Sequence, residues 1–193
     1  MRLFVAIDID EAIRQRIARF LEGVRGFAPE ARWVRPDSMH LTLKFLGETD
    51  EATGERVHQA LAGIHSTTPQ ITFRGTGFFP TARSARVFWI GVQADEHLAA
   101  LAEKVEQAME RLAYEREKRA FSAHLTLARL GSGRPGRGPE DKVNLRFRCL
   151  QEKLAAMPPP DFGTMTPREF LLYRSKLSPK GSEYTRIANF KLG

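Results

Sequence analysis

The chain has 193 residues, of which 42% are hydrophobic and 27% charged, as is typical of a soluble globular protein with one domain or two closely apposed lobes. The absence of any run of eighteen apolar residues excludes a transmembrane helix, and the single cysteine, Cys149, excludes an intramolecular disulfide and offers no zinc signature. The net charge of +7 at pH 7 favours a polyanionic partner, although charge alone is equally compatible with a cationic surface that binds nothing.

The first half of the chain predicts three strands and two helices. Apolar residues recur at three- and four-residue spacing after Glu11, and Asp10 is a candidate cap for that helix. The strand-like start is too short for a signal peptide, and with one cysteine we expect a protein of the reducing cytoplasm. The predicted strands cover residues 3–7, 39–46 and 70–79, and the predicted helices cover residues 11–24 and 51–64.

The second half predicts four strands and two helices. Residues 131–139 contain four glycines and two prolines, which predict a loop, and the sequence does not decide whether this loop closes over a ligand. Strands and helices intermix without regular strand–helix–strand units, so we predict an α+β fold of antiparallel-rich sheets with flanking helices. The predicted strands cover residues 87–92, 124–130, 170–175 and 184–190, and the predicted helices cover residues 96–112 and 141–157.

One tetrapeptide occurs twice, because His40-Leu41-Thr42-Leu43 returns as residues 124–127, 84 positions later. Side chains alternate between the two faces of a β-strand, so in each copy the histidine and threonine share one face and the leucines point into a core. Either tetrapeptide alone is a weak signal, since this pattern is ordinary on a half-buried strand.

Other features repeat at the same interval. Arg2-Leu3-Phe4 matches Arg86-Val87-Phe88, and each triplet opens an apolar run followed by acidic residues and a helical pattern. We therefore predict an internal duplication within a single domain over residues 1–193, with two pseudo-symmetric lobes around a central groove and motif strands near residues 40–46 and 124–130. A duplication without chemistry is the alternative.

Two histidines and two threonines suit acid–base chemistry at a phosphate. An imidazole of pKa about 6.5 serves as acid or base near neutral pH, and a hydroxyl donates to phosphate oxygens without adding charge. Imidazoles on opposite sides of phosphorus would allow in-line attack and departure without a metal. The remaining histidines, His58, His65 and His97, lack metal-ligand spacing, so we predict no metal and no other cofactor.

Several further blocks accompany the two motifs, and they cover residues 2–8, 33–47, 77–80, 124–129 and 173–184. Together they resemble the 2H phosphoesterases, and more closely the bacterial and archaeal RNA 2′,3′-cyclic phosphodiesterases formerly called 2′-5′ RNA ligases. The resemblance implies a LigT-like fold with both motifs in the groove. It also implies hydrolysis of RNA 2′,3′-cyclic phosphodiester ends to 2′-phosphomonoesters.

The resemblance assigns roles that sequence symmetry leaves open. It implies that His40 is the proton donor to the leaving 3′ oxygen and that His124 is the proton acceptor that activates water. Thr42 and Thr126 would hold the phosphate. Many relatives have proline directly before the second histidine, where this chain has Ala123, so the entry to that strand is expected to be less rigid.

Two basic residues are candidate substrate contacts. The resemblance implies that Arg129 contacts the substrate. Strand alternation instead puts its side chain on the face opposite His124, and the alternative is an arginine that lies at the sheet edge without binding substrate. Lys44 is in phase with His40 and is expected to face the groove, with a solvated surface lysine as the alternative. Phe45 has the parity of the leucines and is predicted to lie in the core.

The expected function is metal-independent hydrolysis of cyclic phosphate ends by a monomer that binds no membrane. Candidate partners are RNAs with 2′,3′-cyclic phosphate ends, such as tRNA fragments, or cyclic nucleotides. One alternative is 2′-5′ ligation of tRNA halves as the main activity. A second alternative is a non-catalytic RNA-binding module that uses the basic groove.

Overall fold

A computed structural model describes residues 1–118, 121–131, 145–178 and 181–193. Within these ranges the chain forms nine strands and four α-helices. Their bounds are β1 Arg2–Asp8, α1 Glu11–Val24, β2 Arg32–Trp33, β3 His40–Glu48, α2 Glu51–Ala62, β4 Ile71–Phe79, β5 Val87–Ala94, α3 Glu96–Glu110, β6 His124–Arg129, α4 Arg148–Ala155, β7 Asp161–Met165, β8 Glu169–Ser178 and β9 Gly181–Lys191.

The strands form two antiparallel sheets that exchange strands between the halves of the chain. One sheet has the order β3-β1-β8-β9, and the other has the order β2-β6-β5-β4-β7. The late strands β8 and β9 therefore complete the sheet begun by β1, while the early strands β2 and β4 join the sheet of β5 and β6. The predicted α+β architecture is confirmed, and its two sheets are interlocked by these exchanges.

The helices pack on one face of the sheets and leave the opposite face for a site. Alternate β1 residues, Leu3, Val5 and Ile7, join the main core together with buried side chains of α1 such as Ile13 and Ile17. Burial of these apolar stripes is the main favourable term in forming the helix layer. The intervening β1 residues point the other way and form a small separate cluster, Phe4, Ala6, Leu171 and Tyr173.

Both motif strands carry a β-bulge at the same place, after the His-x-Thr triplet. In β3, Lys44 pairs with Val5 and Thr42 with Ala6, so Leu43 is the extra residue. In β6, Ala128 pairs with Phe88 and Thr126 with Trp89, so Leu127 is the extra residue. A bulge shifts the alternation of side chains by one position. The fifth residue after each histidine, Phe45 or Arg129, therefore returns to the face of that histidine.

The register of the strands corrects one detail of the predicted repeat. Asp8 pairs with His40, and Gly91 pairs with His124. The equivalent residues of β1 and β5 are thus 83 positions apart, so the match of Arg2-Leu3-Phe4 with residues 86–88 is wrong by one position.

Two differences remain between the predicted and observed elements. Strand β7, which pairs with β4 at the sheet edge, was not predicted, because its polar residues and Gly163 obscure the alternation. The helix predicted over residues 141–157 is shorter, with α4 beginning at Arg148, and residues 141–144 lie outside the described residues, as do positions 132–139 of the predicted loop. No helix in the described part of the chain is long and apolar enough to cross a membrane.

Candidate active site

The two motif histidines make the same hydrogen bond. His40 Nδ1 lies 2.9 Å from the carbonyl oxygen of Ser38, and His124 Nδ1 lies 3.0 Å from that of Ser122. A carbonyl oxygen only accepts, so Nδ1 carries a proton in both rings. In the neutral form Nε2 then holds the lone pair, which is the nitrogen that can take up or deliver a proton. This bond comes from the backbone two residues earlier, so it forms without a proline before His124.

Three aromatic rings surround His40. Its ring centroid lies 4.6 Å from that of Phe4 and 5.9 Å from that of Tyr173, and Tyr184 meets it edge-on at 4.9 Å. Burial among these rings lowers the pKa of His40, while the Ser38 carbonyl and the Asp8 carboxylate act in the opposite direction. His124, by contrast, is exposed and touches one described ring, Trp89, at 6.5 Å.

A charged network adjoins His40. Asp8, its cross-strand neighbour, pairs with Arg186 and lies 3.6 Å from Arg14. Arg186 Nε donates to the Tyr173 hydroxyl at 3.3 Å, and burial raises the pKa of that phenol, which keeps it neutral. The network lines a cavity of about 310 Å³ beside the histidine.

A different aromatic residue, Trp89, lies beside the second motif. Trp89 is the cross-strand partner of Thr126, and its indole lies over Gly77, where a Cβ atom would stand only 2.2 Å from the ring. Glycine is therefore required at residue 77 for the indole to lie flat. Arg129 Nη2 donates to Thr126 Oγ1 at 3.4 Å, so the guanidinium lies on the same face as the threonine.

The two motif strands belong to different sheets but lie near each other. Cα atoms of β3 and β6 approach within 8 Å of each other, and the Val34 amide donates to the Leu127 carbonyl at 2.8 Å. Thr42 and Thr126 are each half-buried. Among the described residues, no group of three or more His, Cys, Asp or Glu side chains is arranged to hold a metal ion.

The expectation that Lys44 faces the groove is wrong. Lys44 is 7% exposed, and its Nζ donates to both Glu106 oxygens, at 2.8 and 2.9 Å, and to the Glu115 carbonyl at 3.0 Å. The bulge at Leu43 is the cause, because it turns the lysine away from the face of Thr42. The same bulge overturns the core prediction for Phe45, which is 69% exposed on the face of His40, 5.9 Å from the Phe4 ring.

Sequence reasoning missed several residues around the site, namely Phe4, Asp8, Tyr173, Tyr184 and Arg186. Asp8 ends β1 on the face opposite Ile7, which strand parity alone could have indicated. The aromatic and arginine residues of β8 and β9 carry no comparable signal, because their position beside His40 depends on pairing between strands that are far apart in sequence.

Comparison with known proteins agrees with these features. The sequence matches the family described as LigT-like phosphoesterase over residues 7–89 and again over residues 90–184. It is 34% identical, over 99% of this chain and 100% of the other, to an RNA 2′,3′-cyclic phosphodiesterase of Archaeoglobus fulgidus. A Thermus thermophilus protein of the same name is 33% identical over 100% of this chain and 90% of its own length. The crystal structure of E. coli LigT complexed with 3′-AMP superposes with a TM-score of 0.77 at 29% identity, covering 99% of this chain and 97% of that one.

Proposed function

The chain belongs to the LigT-like phosphoesterase family, and from this premise we propose that it hydrolyses 2′,3′-cyclic phosphodiester ends of RNA to 2′-phosphomonoesters. The names of its relatives support the substrate, since several that match over nearly the full chain are RNA 2′,3′-cyclic phosphodiesterases. The observation that carries the mechanism is the matched pair of Nδ1–carbonyl bonds, which leaves Nε2 of both His40 and His124 available for proton transfer.

The proposed reaction is an in-line displacement at phosphorus. His124 Nε2 accepts a proton from water, whose oxygen forms the new bond to phosphorus. The bond from phosphorus to O3′ breaks, and His40 Nε2 donates its proton to that oxygen, so the phosphate stays on O2′. Thr42 and Thr126 donate to the non-bridging oxygens, and Arg129 offsets their negative charge.

One charge beside the histidines supports these directions. A donor must be protonated when substrate binds, and although burial lowers the pKa of His40, the adjacent Asp8 carboxylate opposes that effect and favours the protonated form. The position opposite His124 is held by Gly91, which supplies no such charge. The exposed side chain of His124 also suits a base that receives its proton from water.

Replacement of either histidine tests the proposal. H40A and H124A should each reduce turnover of a dinucleotide that ends in a 2′,3′-cyclic phosphate at least about a hundredfold, the usual scale for a general acid or base. EDTA should leave wild-type turnover unchanged, and phosphorus NMR of the product should show the phosphate on O2′. His65, exposed beyond α2, offers the matched control H65A, which should retain wild-type turnover. Full activity in either motif variant would refute the assignment.

We place hydrolysis ahead of joining because the relatives' names concern the phosphodiesterase reaction and because water is the more abundant nucleophile. The non-catalytic alternative is disfavoured by the histidine and threonine present in both motifs. The proposal locates the enzyme in the reducing cytoplasm, in keeping with the exposed free thiol of Cys149.

A further inference from the structure

Two arginines stand directly opposite each other on the face of the second motif. Arg32 of β2 pairs in register with Arg129 of β6, and both side chains are exposed. Directly opposed residues of an antiparallel pair project from the same face, so Arg32 shares the face of Arg129 and Thr126. The neighbouring pair, Trp33 and Ala128, points into the core, as this alternation requires.

Like charges at directly opposed positions destabilise a sheet unless something compensates for them. Among the described residues neither guanidinium has a carboxylate partner, and the hydrogen bond of Arg129 goes to the neutral Thr126 hydroxyl. Within the described part of the chain, both guanidinium groups are thus available to an anion with several oxygens, that of Arg129 beside Thr126 and that of Arg32 elsewhere on the same face.

The position of the Arg32 head group indicates where that anion lies. A Cβ atom built on Gly131 would stand 3.6 Å from Arg32 Nη2, so the guanidinium lies just past the end of β6, away from His124. At roughly 3.3 Å per residue, the strand carries this group on the order of 10 Å or more beyond Thr126. The reacting phosphate at the histidine and threonine is therefore not its natural ligand.

We propose that Arg32 binds the phosphodiester on the 5′ side of the terminal nucleotide, so that the enzyme prefers oligonucleotide ends over cyclic mononucleotides. This inference rests on the proposed function. An RNA with a cyclic phosphate at its 3′ end continues only in the 5′ direction, so the next phosphate of the substrate lies on that side. Arg129 stands between the reacting phosphate and this second one, and Arg32 adds the contact that a mononucleotide with a free 5′ hydroxyl cannot make.

The experiment compares kcat/KM for 2′,3′-cyclic AMP with kcat/KM for the dinucleotide ApA ending in a 2′,3′-cyclic phosphate. R32A should lose at least about tenfold on the dinucleotide, as expected for one charge-assisted phosphate contact, and stay within about twofold on the mononucleotide. On the dinucleotide, the kcat/KM of R32K should lie between those of wild type and R32A, because an ammonium group keeps the positive charge but cannot make two parallel hydrogen bonds. R56A removes an exposed positive charge from α2, in the helix layer, and should change neither value.

A neutral linkage isolates the contact. In a dinucleotide whose internal phosphodiester is replaced by methylphosphonate, wild type should lose about tenfold, and R32A should lose nothing further. Removal of one of two opposed like charges should leave the folded protein at least as stable, which a thermal melt of R32A checks. Equal losses on both substrates, or no loss on the dinucleotide, would overturn the proposal.

Binding separates this inference from the proposed function. Calorimetry of the dinucleotide ApA bearing a 2′-phosphate measures affinity without turnover, and R32A should bind it about tenfold more weakly than wild type does. Failure of wild type to hydrolyse either cyclic substrate would refute the proposed function alone. Equal affinity of R32A and wild type would refute the role of Arg32 whatever the turnover.

Discussion

At the scale of single residues, one carboxylate distinguishes the two histidines. Asp8 stands in register with His40, whereas Gly91 occupies the equivalent position beside His124. Burial among aromatic rings favours the neutral form of His40, and Asp8 opposes that effect. The carboxylate itself is held by Arg14 and Arg186, which fix its position next to the imidazole. Asp8 therefore limits how far burial lowers the pKa of His40.

D8N should shift the pH dependence of turnover in one direction. Loss of the negative charge lowers the pKa of His40 further, so the ring loses its proton at a lower pH. If His40 is the donor, the alkaline limb of the kcat/KM profile should move to lower pH, while the acidic limb stays in place. The measurement is a pH–rate profile with a dinucleotide that ends in a 2′,3′-cyclic phosphate.

The charged and titratable groups that line the cavity beside His40 are Asp8, Arg14, Arg35, Asp37, Tyr173, Glu183, Tyr184 and Arg186. A suitable control is D50N at the start of α2, because asparagine caps a helix about as well as aspartate does. An alkaline limb that stays at the wild-type pH in D8N would contradict the role of the carboxylate.

At the scale of elements, the bulges decide which residues of the motif strands face the site and which face the core. Each bulge turns one residue inward, Lys44 in β3 and Ala128 in β6, and returns the next to the site. The inward lysine forms an ion pair with Glu106 of α3, with side chains only 5% and 14% exposed. The pair ties the first motif strand to the helix that precedes the second motif.

Replacing one partner of this pair should destabilise the protein strongly. K44M or E106L should each lower the free energy of unfolding by about 3–5 kcal/mol, because the remaining group is left buried without its partner. The double variant K44M/E106L should lose less than the sum of the single losses. Urea denaturation measures all three changes.

The exposed pair of Arg116 and Glu103 provides the comparison, since R116A breaks an ion pair whose side chains are 44% and 45% exposed. Its effect on the urea midpoint should be small, because water already solvates and screens both groups. Strictly additive losses in the Lys44 and Glu106 variants would show that the two side chains do not act as a pair.

At the scale of the whole molecule, the exchange of strands makes each half dependent on the other. The main core includes residues from both halves, such as Leu3 and Leu125, without a break. The two halves of the chain cannot separate without breaking the pairing of β8 with β1 and that of β4 with β5. On this basis we propose that residues 1–193 form a single folding domain in spite of the internal duplication.

The proposal predicts one cooperative unfolding transition. Trp33 and Trp89 lie in the second sheet, so their fluorescence follows that sheet, whereas far-ultraviolet circular dichroism follows the whole chain. Both signals should give the same urea midpoint and the same slope. Two separated midpoints would mean that the lobes unfold independently.

The elements and the two motifs follow from the sequence alone, because helical spacing and strand alternation are local properties of a chain. The helix over residues 11–24 has the predicted bounds, and the shared face of His40 and Thr42 needs only two-residue periodicity. The repeat interval further indicated that two such faces exist. The family resemblance rests on these same residues.

Only the tertiary structure decided what surrounds those motifs. A bulge depends on how a strand pairs with its neighbour, so the burial of Lys44 and the exposure of Phe45 could not be read from alternation. Asp8 meets His40, and Arg32 meets Arg129, through registers between segments that lie 32 and 97 positions apart. Local preferences along a chain carry no information about such registers, which are set when distant strands bury their apolar faces together.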